Sequence, residues 1–213
     1  MHFIKNILLT VLFLQSFFSI IYGFRYSSIR VAPYFMPFDN NPQPIDEIIL
    51  NSGVKHVVLA FVLATNQGEC QPVWNGEAFR LVSKDNQAIK MIEKIRSAGG
   101  DVTISFGGYN GIELGHACKN PQELAAAYQS VIDKYQLTNI DFDIEGDDLG
   151  VPEEENRRFE AIKILKNNAA SKGRDLFVTL TLPSTTVGLS DIGRAEIQRA
   201  IDVKCDIDLY NIM

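Results

Sequence analysis

Three acidic residues alternate with large apolar residues in segment 140–146, whose sequence is Ile-Asp-Phe-Asp-Ile-Glu-Gly. Successive side chains of a β-strand point to opposite faces, so the alternation predicts a strand that presents Asp141, Asp143 and Glu145 on one face. At a rise of roughly 3.3 Å per residue, the Cα atoms of Asp143 and Glu145 lie about 6.6 Å apart. Carboxylates at this spacing raise each other's pKa, and a protonated carboxylic acid beside an ionised one is suited to general acid catalysis.

Two other interpretations of this acidic face remain open. It could be a solvated polar face, although Asp is disfavoured in strands and like charges on one face repel each other. It could also hold a divalent cation, because Mg²⁺ and Ca²⁺ prefer oxygen ligands. We adopt the catalytic interpretation, and with it we expect neither a metal nor an organic cofactor.

Apolar segments rich in Val, Ile, Leu or Phe alternate with helical patterns along the chain, which predicts buried parallel strands joined by helices. The predicted strands are 30–36, 55–64, 101–106, 139–145, 175–182 and 206–213. The predicted helices are 45–51, 85–97, 121–135, 152–172 and 191–203. Asn120 is the expected N-cap of the third helix, with Pro121 at its first position.

This alternation fits a doubly wound sheet or a barrel. Acidic residues and glycines follow the carboxyl ends of successive predicted strands, which is where a (β/α)₈ barrel has its active site. We therefore predict an α/β fold, an incomplete (β/α)₈ TIM barrel with about six βα units, formed by residues 24–213.

A second motif, Ser105-Phe106-Gly107-Gly108, ends the third predicted strand. Ser105 can form a hydrogen bond with a carboxylate of the next strand, and the two glycines let the backbone turn sharply and approach a ligand closely. About thirty residues separate this motif from the acidic one, which is enough for one βα unit.

The two motifs resemble those of glycoside hydrolase family 18, the chitinases and their relatives. The family pattern is Asp-x-x-Asp-x-Asp-x-Glu, and its last three acids match Asp141, Asp143 and Glu145, while Thr138 stands at its first position. Segment 105–108 resembles the family's Ser-x-Gly-Gly.

A third motif, at residues 208–213, resembles the sixth barrel strand of the family, in which Asp and Tyr follow a Met shortly after the strand. Met213 is the counterpart of that Met, and we expect it at the substrate site. The resemblance covers most of the chain from about residue 29 onward and is nearest to the compact bacterial-type chitinases.

The resemblance implies a substrate of β-1,4-linked N-acetylglucosamine, chitin or a chitooligosaccharide, and a substrate-assisted mechanism, in which family 18 departs from the usual two-carboxylate scheme. Glu145 would protonate the glycosidic oxygen while the substrate's own acetamido oxygen attacks the anomeric carbon. Asp143 would hold the acetamido N–H and stabilise the oxazolinium ion. Asp141, supported by Ser105, would favour protonation or reorientation of Asp143.

Several further residues are expected to contact the sugar. Tyr34 and Phe61, near the ends of the first two strands, would form the floor of the sugar site, and Trp74 in the following loop would stack on a sugar ring. Each aromatic residue also fits a place in the core. Gly107 and Gly108 would approach the ligand with their backbone. The alternatives to a hydrolase of chitin are a lectin-like relative that binds chitin and an endo-β-N-acetylglucosaminidase acting on N-glycans.

The net charge bears on the partners of the protein, and the amino-terminal segment predicts its secretion. The net charge of −6 over 213 residues, with no basic stripe, argues against nucleic-acid binding. Residues 1–23 have a mildly basic start and an apolar run, as in a secretory signal peptide, with an uncleaved signal anchor as the alternative. We expect a secreted protein without membrane attachment after cleavage, and a monomer when full length.

The cysteines fit an exported protein, in which disulfides persist. Cys70 follows the second predicted strand and Cys118 the third, so adjacent barrel strands would place their loops side by side. We predict a disulfide between these two residues. Cys205 precedes the sixth strand, at the opposite end, and is expected to be a buried thiol.

We expect residues 24–213 alone not to form a stable, active hydrolase. A barrel lacks sheet edges only when it closes, and two open edges would cost several kcal/mol against a domain stability of roughly 5–15 kcal/mol. A whole barrel takes roughly 250 residues or more, which implies a product about 60–90 residues longer. The test is a thermal melt and a chitotetraose assay of residues 24–213. A cooperative melt of an active monomer would contradict this expectation.

Overall fold

The computed structural model describes residues 31–39, 41–42 and 44–213, and its larger compact unit comprises Pro33–Met213. The predicted signal peptide at residues 1–23 lies outside the described residues, as does residue 30, the start of the first predicted strand. Within the described ranges, no helix has the length and apolar character needed to cross a membrane.

The strands of the described residues form one large sheet and one small hairpin. They are β1 (Tyr34–Phe35), β2 (His56–Leu63), β3 (Val73–Trp74), β4 (Asp101–Gly107), β5 (Asn139–Asp143), β6 (Phe177–Leu182), β7 (Ser184–Thr185), β8 (Gly188–Leu189) and β9 (Leu209–Ile212). Strands β1, β2, β4, β5, β6 and β9 lie side by side in chain order, and each neighbouring pair is parallel. Strand β3 is antiparallel to β2, and β7 pairs with β8.

Helices fill the connections between the parallel strands. They are α1 (Ile45–Ser52), α2 (Gln87–Ser97), α3 (Leu114–Ala117), α4 (Pro121–Tyr135), α5 (Pro152–Ser171) and α6 (Asp191–Asp202). Helix α4 begins as predicted, because the Asn120 side chain accepts a hydrogen bond from the Glu123 N–H at 2.9 Å. Helix α2 begins after Asp85, whose carboxylate accepts hydrogen bonds from the backbone N–H groups of residues 87–89.

This arrangement confirms the predicted fold class. The six parallel strands curl as part of a (β/α)₈ barrel, with helices between them. The predicted strand ends differ from the observed ones by several residues: the first strand is only Tyr34–Phe35, and β5 ends at Asp143 and does not reach Glu145. The β7–β8 hairpin lies between the predicted strand 175–182 and the predicted helix 191–203. The short helix α3 was not predicted.

Apolar residues of β4 and β5 fix these strands against α4. The Phe106 and Phe142 rings stack at 5.4 Å between centroids, and the Tyr128 ring of α4 lies 4.7 Å from the first and 5.0 Å from the second. Ile140 and Ile144 are also fully buried. Because side chains alternate along the strand, this packing directs the acidic residues of the same segment to the opposite, inner face.

A buried charged cluster ties the loop after β4 to α5 and α6. The fully buried Arg158 guanidinium donates to Glu113 at 3.3 Å and to Glu196 at 3.0 Å, and the Tyr128 hydroxyl donates to Glu113 at 2.7 Å. Burial raises the pKa of Glu196 to about 8, with the neighbouring Glu155 adding to the rise. A protonated Glu196 can share its proton with Glu155, which reduces the cost of burying three carboxyl groups around Arg158.

The predicted disulfide is present. Cys70 and Cys118 are bonded, with Cα atoms 4.7 Å apart and a sequence separation of 48, so the loop after β2 is tied to the end of α3. Cys205 is a buried free thiol, as expected.

Removing this cross-link is expected to lower stability by about 4 kcal/mol, because a loop of this length loses that much chain entropy in the unfolded state. Peptide mapping without reductant should recover the Cys70–Cys118 pair from full-length protein. The double variant Cys70→Ala/Cys118→Ala should melt at a lower temperature and become insensitive to reductant, while Cys205→Ala keeps the wild-type response. An unchanged melting temperature on reduction of the wild type would contradict the expectation.

Candidate active site

The three predicted acids lie at the carboxyl end of β5. Strand register places Asp141 opposite Ser105 and Asp143 opposite Gly107 on the neighbouring β4. Glu145 lies beyond the strand, but its backbone is still extended, with φ −136° and ψ 172°, and a 3₁₀ turn follows at Gly146–Asp148. The alternation of faces therefore continues past the last paired residue, and Glu145 stays on the side of the other acids.

Asp141 is a carboxylate held by three hydroxyl groups from three other strands. Its Oδ2 accepts hydrogen bonds from Ser105 Oγ at 2.6 Å and from the Tyr34 hydroxyl at 2.8 Å. Its Oδ1 accepts one from Thr181 Oγ1 at 2.7 Å. The residue is 1% exposed. Burial raises the pKa of Asp141, and the three hydrogen bonds oppose that rise because they stabilise the anion.

Asp143 is buried beside this carboxylate but lacks its hydrogen bonds. Its Oδ1 has no hydrogen-bond partner among the described residues. Burial raises the pKa of Asp143 to about 7, and the charges of Glu145 and Asp141 add to the rise. A carboxyl group with this pKa is partly protonated at neutral pH. A buried polar atom without a partner is costly unless a ligand or a proton transfer uses it.

Glu145 stands at the mouth of this group. It is partly exposed, and burial raises the pKa of its carboxyl group. A raised pKa keeps a larger fraction of the group protonated at mildly acidic pH, which is the state that a general acid needs. Along the segment the three acids are thus a buried carboxyl group bound by hydroxyls, a buried carboxyl group with a raised pKa and an accessible acid.

The two glycines after β4 allow close contact with protein atoms. Both have positive φ, +98° at Gly107 and +92° at Gly108. A Cβ on Gly107 would lie 2.1 Å from the carbonyl oxygen of Asp143, and the Gly108 N–H donates to that same oxygen at 2.8 Å. A Cβ on Gly108 would lie 2.8 Å from the Phe61 ring. The backbone of these two glycines, which we predicted to approach a ligand closely, thus lies close to Asp143 and Phe61.

Tyr34 has a contact with Asp141 that the sequence did not predict, and its place in the floor of a sugar site stays a prediction. Its hydroxyl is bound to Asp141 and lies 3.1 Å from Thr181 Oγ1, while 39% of the residue is exposed. Burial and the charge of Asp141 raise the pKa of Tyr34 well above its usual value, so the phenol stays a donor. Its ring lies 6.0 Å from the half-buried Phe61 ring. A sugar contact of Phe61 stays a prediction.

The prediction that Trp74 stacks on a sugar is wrong. Trp74 is fully buried, donates from its indole N–H to the Tyr135 hydroxyl at 2.9 Å, and packs 5.1 Å from the Phe38 ring. Its ring has no face free for a ligand. Met213 is 47% exposed, and its carbonyl oxygen accepts a hydrogen bond from the Ser184 hydroxyl at 2.7 Å. Its contact with substrate stays a prediction.

Sequence patterns did not identify Thr181, Asn211 and Tyr109. Thr181 is a buried polar residue within the apolar strand β6, and this interruption was its only signal. Asn211 on β9 donates to Thr181 at 3.2 Å. Tyr109 follows the Gly-Gly pair, is 72% exposed, and its ring would lie 3.8 Å from a Cβ on Gly146, in the turn after Glu145. It is an aromatic surface at the mouth of the site.

The acids show no arrangement suited to a cation. Among the residues with described positions, no group of three or more His, Cys, Asp or Glu side chains is placed to hold a metal ion. The oxygens of Asp141 already accept three hydroxyl hydrogen bonds.

The site thus consists of two buried carboxyl groups and an accessible acid at the end of the fourth parallel strand of a partial (β/α)₈ barrel, where such barrels have their active sites, and these groups are of the type that general acid catalysis uses. The sequence profile described as "Glycosyl hydrolases family 18" matches residues 30–213. The chain belongs to this family.

Relatives share most of this chain but are longer. A probable bifunctional chitinase/lysozyme of Escherichia coli is 34% identical over 183 residues, covering 85% of this chain and 20% of its own length. Endochitinase 11 of Metarhizium anisopliae is 34% identical over 184 residues, which are 85% of this chain and 34% of that protein. A crystal structure of catalytic-site mutants of a thermostable Pyrococcus furiosus chitinase, complexed with chito-oligosaccharides, has a TM-score of 0.72 at 28% identity, covering 85% of this chain and 56% of that one.

The proton on Asp143 is directly measurable. We expect the carboxyl ¹³C resonance of Asp143 in full-length protein to titrate with a midpoint near pH 7, because burial and two neighbouring carboxylates oppose its ionisation. The Asp143→Asn variant assigns the resonance by removing it. A midpoint near pH 4, the ordinary value for Asp, would contradict this distribution of the proton.

Proposed function

We propose that this protein is a secreted, chitinase-like glycoside hydrolase that cleaves β-1,4-linked N-acetylglucosamine polymers by substrate-assisted, retaining catalysis. The observation that carries the proposal is the unequal state of the three acids: Asp141 is bound by three hydroxyls, Asp143 has an unpartnered oxygen, and Glu145 is accessible. The names of the related chitinases, and the chito-oligosaccharides bound to one of them, support the choice of substrate.

In the proposed first step, Glu145 donates its proton to the glycosidic oxygen, and the bond from that oxygen to the anomeric carbon breaks. The acetamido oxygen of the same sugar forms the new bond to the anomeric carbon. This produces a cyclic oxazolinium ion, and Glu145 is left as a carboxylate. The buried Asp143 lies between Glu145 and Asp141, so its free oxygen is suited to accept the acetamido N–H and orient the acetamido oxygen.

In the second step, Glu145 acts as a base and takes a proton from water, whose oxygen attacks the anomeric carbon on the face that the leaving group occupied. The bond from the anomeric carbon to the acetamido oxygen breaks, which restores the acetamido group. Two displacements on one carbon retain its configuration. Asp141 does not contact the sugar in this scheme. Its negative charge makes the proton on Asp143 harder to remove, and it can receive that proton when Asp143 turns toward the substrate.

Secretion and oligomeric state are part of the same proposal. The apolar segment within residues 1–23 is proposed to be a cleaved signal peptide, and the Cys70–Cys118 disulfide supports passage through an oxidising compartment. We propose a full-length monomer acting on chitin or chitooligosaccharides, without nucleic-acid or membrane partners.

The Glu145→Gln variant tests the assignment of the acid. In full-length protein we expect turnover of chitotetraose to fall at least about 100-fold, with binding retained, because the amide keeps the shape of the side chain but has no acidic proton. Asp147→Asn is the matched control, since it removes an exposed acid from the turn that follows Glu145 and should leave turnover unchanged.

Other outcomes would identify a different function. Wild-type activity in Glu145→Gln, together with a large loss on replacing Asp141 alone, would overturn the assignment. Binding of chitotetraose without hydrolysis by the wild type would indicate a lectin-like protein. Cleavage of a high-mannose glycopeptide in preference to chitotetraose would indicate an endo-β-N-acetylglucosaminidase.

A further inference from the structure

A chain of hydrogen bonds reaches Asp141 from the strand β9. The Asn211 amide Nδ2 donates to Thr181 Oγ1 at 3.2 Å, and Thr181 Oγ1 donates to Asp141 Oδ1 at 2.7 Å. Thr181 is fully buried in β6, and Asn211 is half-buried in β9. Side chains from the three neighbouring parallel strands β5, β6 and β9 therefore form one row of hydrogen bonds on the inner face of the sheet.

The direction of this line follows from the number of protons available. A threonine hydroxyl has one proton and two lone pairs. The Asn211 N–H occupies one lone pair of Thr181, and the Tyr34 hydroxyl lies within 3.1 Å of the same oxygen. The single proton of Thr181 is thus left for Asp141, whose Oδ1 is an acceptor only while the carboxyl group is ionised or protonated on its other oxygen.

That other oxygen is already occupied. Asp141 Oδ2 accepts hydrogen bonds from Ser105 and Tyr34, which leaves no lone pair for a proton without breaking one of them. Oδ1, with Thr181 as its hydrogen-bond partner among the described residues, is therefore the oxygen of Asp141 that still has a lone pair able to take a proton. A hydrogen bond donated to Oδ1 therefore affects whether Asp141 or Asp143 carries the proton.

We propose that Thr181, oriented by the amide of Asn211, is a positioning residue that keeps Oδ1 of Asp141 an acceptor and so leaves the shared proton on Asp143. This inference rests on the proposed function, in which Asp143 must start with that proton. It extends the support of Asp141 from Ser105 and Tyr34 to a third strand, and it makes β9 part of the site through Asn211.

The charged and titratable groups around Asp141 determine the expected pH effect. They are Tyr34 from β1, which stays protonated, and Asp143 and Glu145 on its own segment. Strands β4, β6 and β9 contribute the neutral Ser105, Thr181 and Asn211. Loss of the Thr181 donor destabilises the Asp141 anion, so the pair keeps both protons to a higher pH. A hydrogen bond to a charged group changes such a step by about one to two pH units.

The test compares three variants of full-length protein by the pH dependence of kcat/KM on chitotetraose. Thr181→Val has the same shape without the hydroxyl. We expect the acidic limb of its pH profile of kcat/KM to shift to a higher pH by about one pH unit, with kcat falling more than KM changes. Thr181→Ser restores the hydroxyl and should restore the wild-type limb. Thr179→Val makes the same change two residues earlier on the same face of β6, opposite Asp141 in register, and should leave the limb unchanged.

Two results would overturn the inference: a Thr181→Val profile that superimposes on the wild type, or a Thr181→Ser profile that matches Thr181→Val. A general loss of packing would lower activity without moving the limb, and Ser would not rescue it.

A carboxyl ¹³C titration of the same proteins separates this inference from the proposed function. If the wild type does not hydrolyse chitotetraose, the proposed function fails, and the titration of the Asp141–Asp143 pair still decides the inference without substrate. The lower apparent pKa of the pair should rise in Thr181→Val and return to the wild-type value in Thr181→Ser. An unchanged lower pKa in Thr181→Val overturns the inference. If Thr181→Val does not fold, Asn211→Leu decides, with a smaller rise expected and no rise contradicting it.

Discussion

The burial of one carboxylate, that of Asp141, is the constraint on which the rest of the site depends. An ionised group in a dry interior is very costly unless donors replace its water shell. Here the donors are hydroxyls from β1, β4 and β6, so three strands must lie in the register that brings Tyr34, Ser105 and Thr181 to one point. The polar centre therefore depends on the register of the sheet, because a shift of any of these strands would remove a hydrogen bond from the buried Asp141 carboxylate.

Asp141 in turn affects the pKa of its neighbour. Asp143 is buried in the same strand, has an oxygen without a hydrogen-bond partner among the described residues, and has a pKa raised to about 7 by burial and by the charges of Glu145 and Asp141. The end of β4 supports this arrangement from the side, since Gly107 approaches the carbonyl of Asp143 more closely than a residue with a Cβ could, and the N–H of Gly108 donates to the same carbonyl. Behind the sheet, the Phe106, Phe142 and Tyr128 rings prevent the strands from rotating their acidic faces away.

Features that depend on local residue patterns or on the order of strands along the chain could be predicted from the sequence. Alternation predicted the acidic face of β5, strand order predicted both the disulfide and the Ser105–Asp141 contact, and Asn120 marked the start of α4. Features that depend on which distant residues meet were not accessible. Trp74 was expected at the surface, but antiparallel pairing of β3 with β2 places it in the core.

Thr181 and Arg158 illustrate the same limit. Thr181 is one of two threonines in the otherwise apolar strand β6, and its contact with Asp141 follows only from the pairing of β6 with β5. Arg158 lies in a helix rich in charge, where a charged residue normally faces solvent, but the structure buries it between Glu113 and Glu196. Tyr34 was correctly placed near the site, and the structure adds the hydrogen bond from its hydroxyl to Asp141, while the sugar contact of its ring stays a prediction.

The direct test of the substrate-assisted mechanism is to identify the sugar on the new reducing side of each cleaved bond. Full-length protein is incubated with partially N-acetylated chitosan, and the products are analysed by NMR during early hydrolysis. The attacking atom is proposed to be the acetamido oxygen of the sugar whose bond is broken. We therefore predict that new reducing ends are N-acetylglucosamine, formed first as the β-anomer. Glucosamine at new reducing ends at a comparable rate, or initial formation of the α-anomer, would contradict the mechanism.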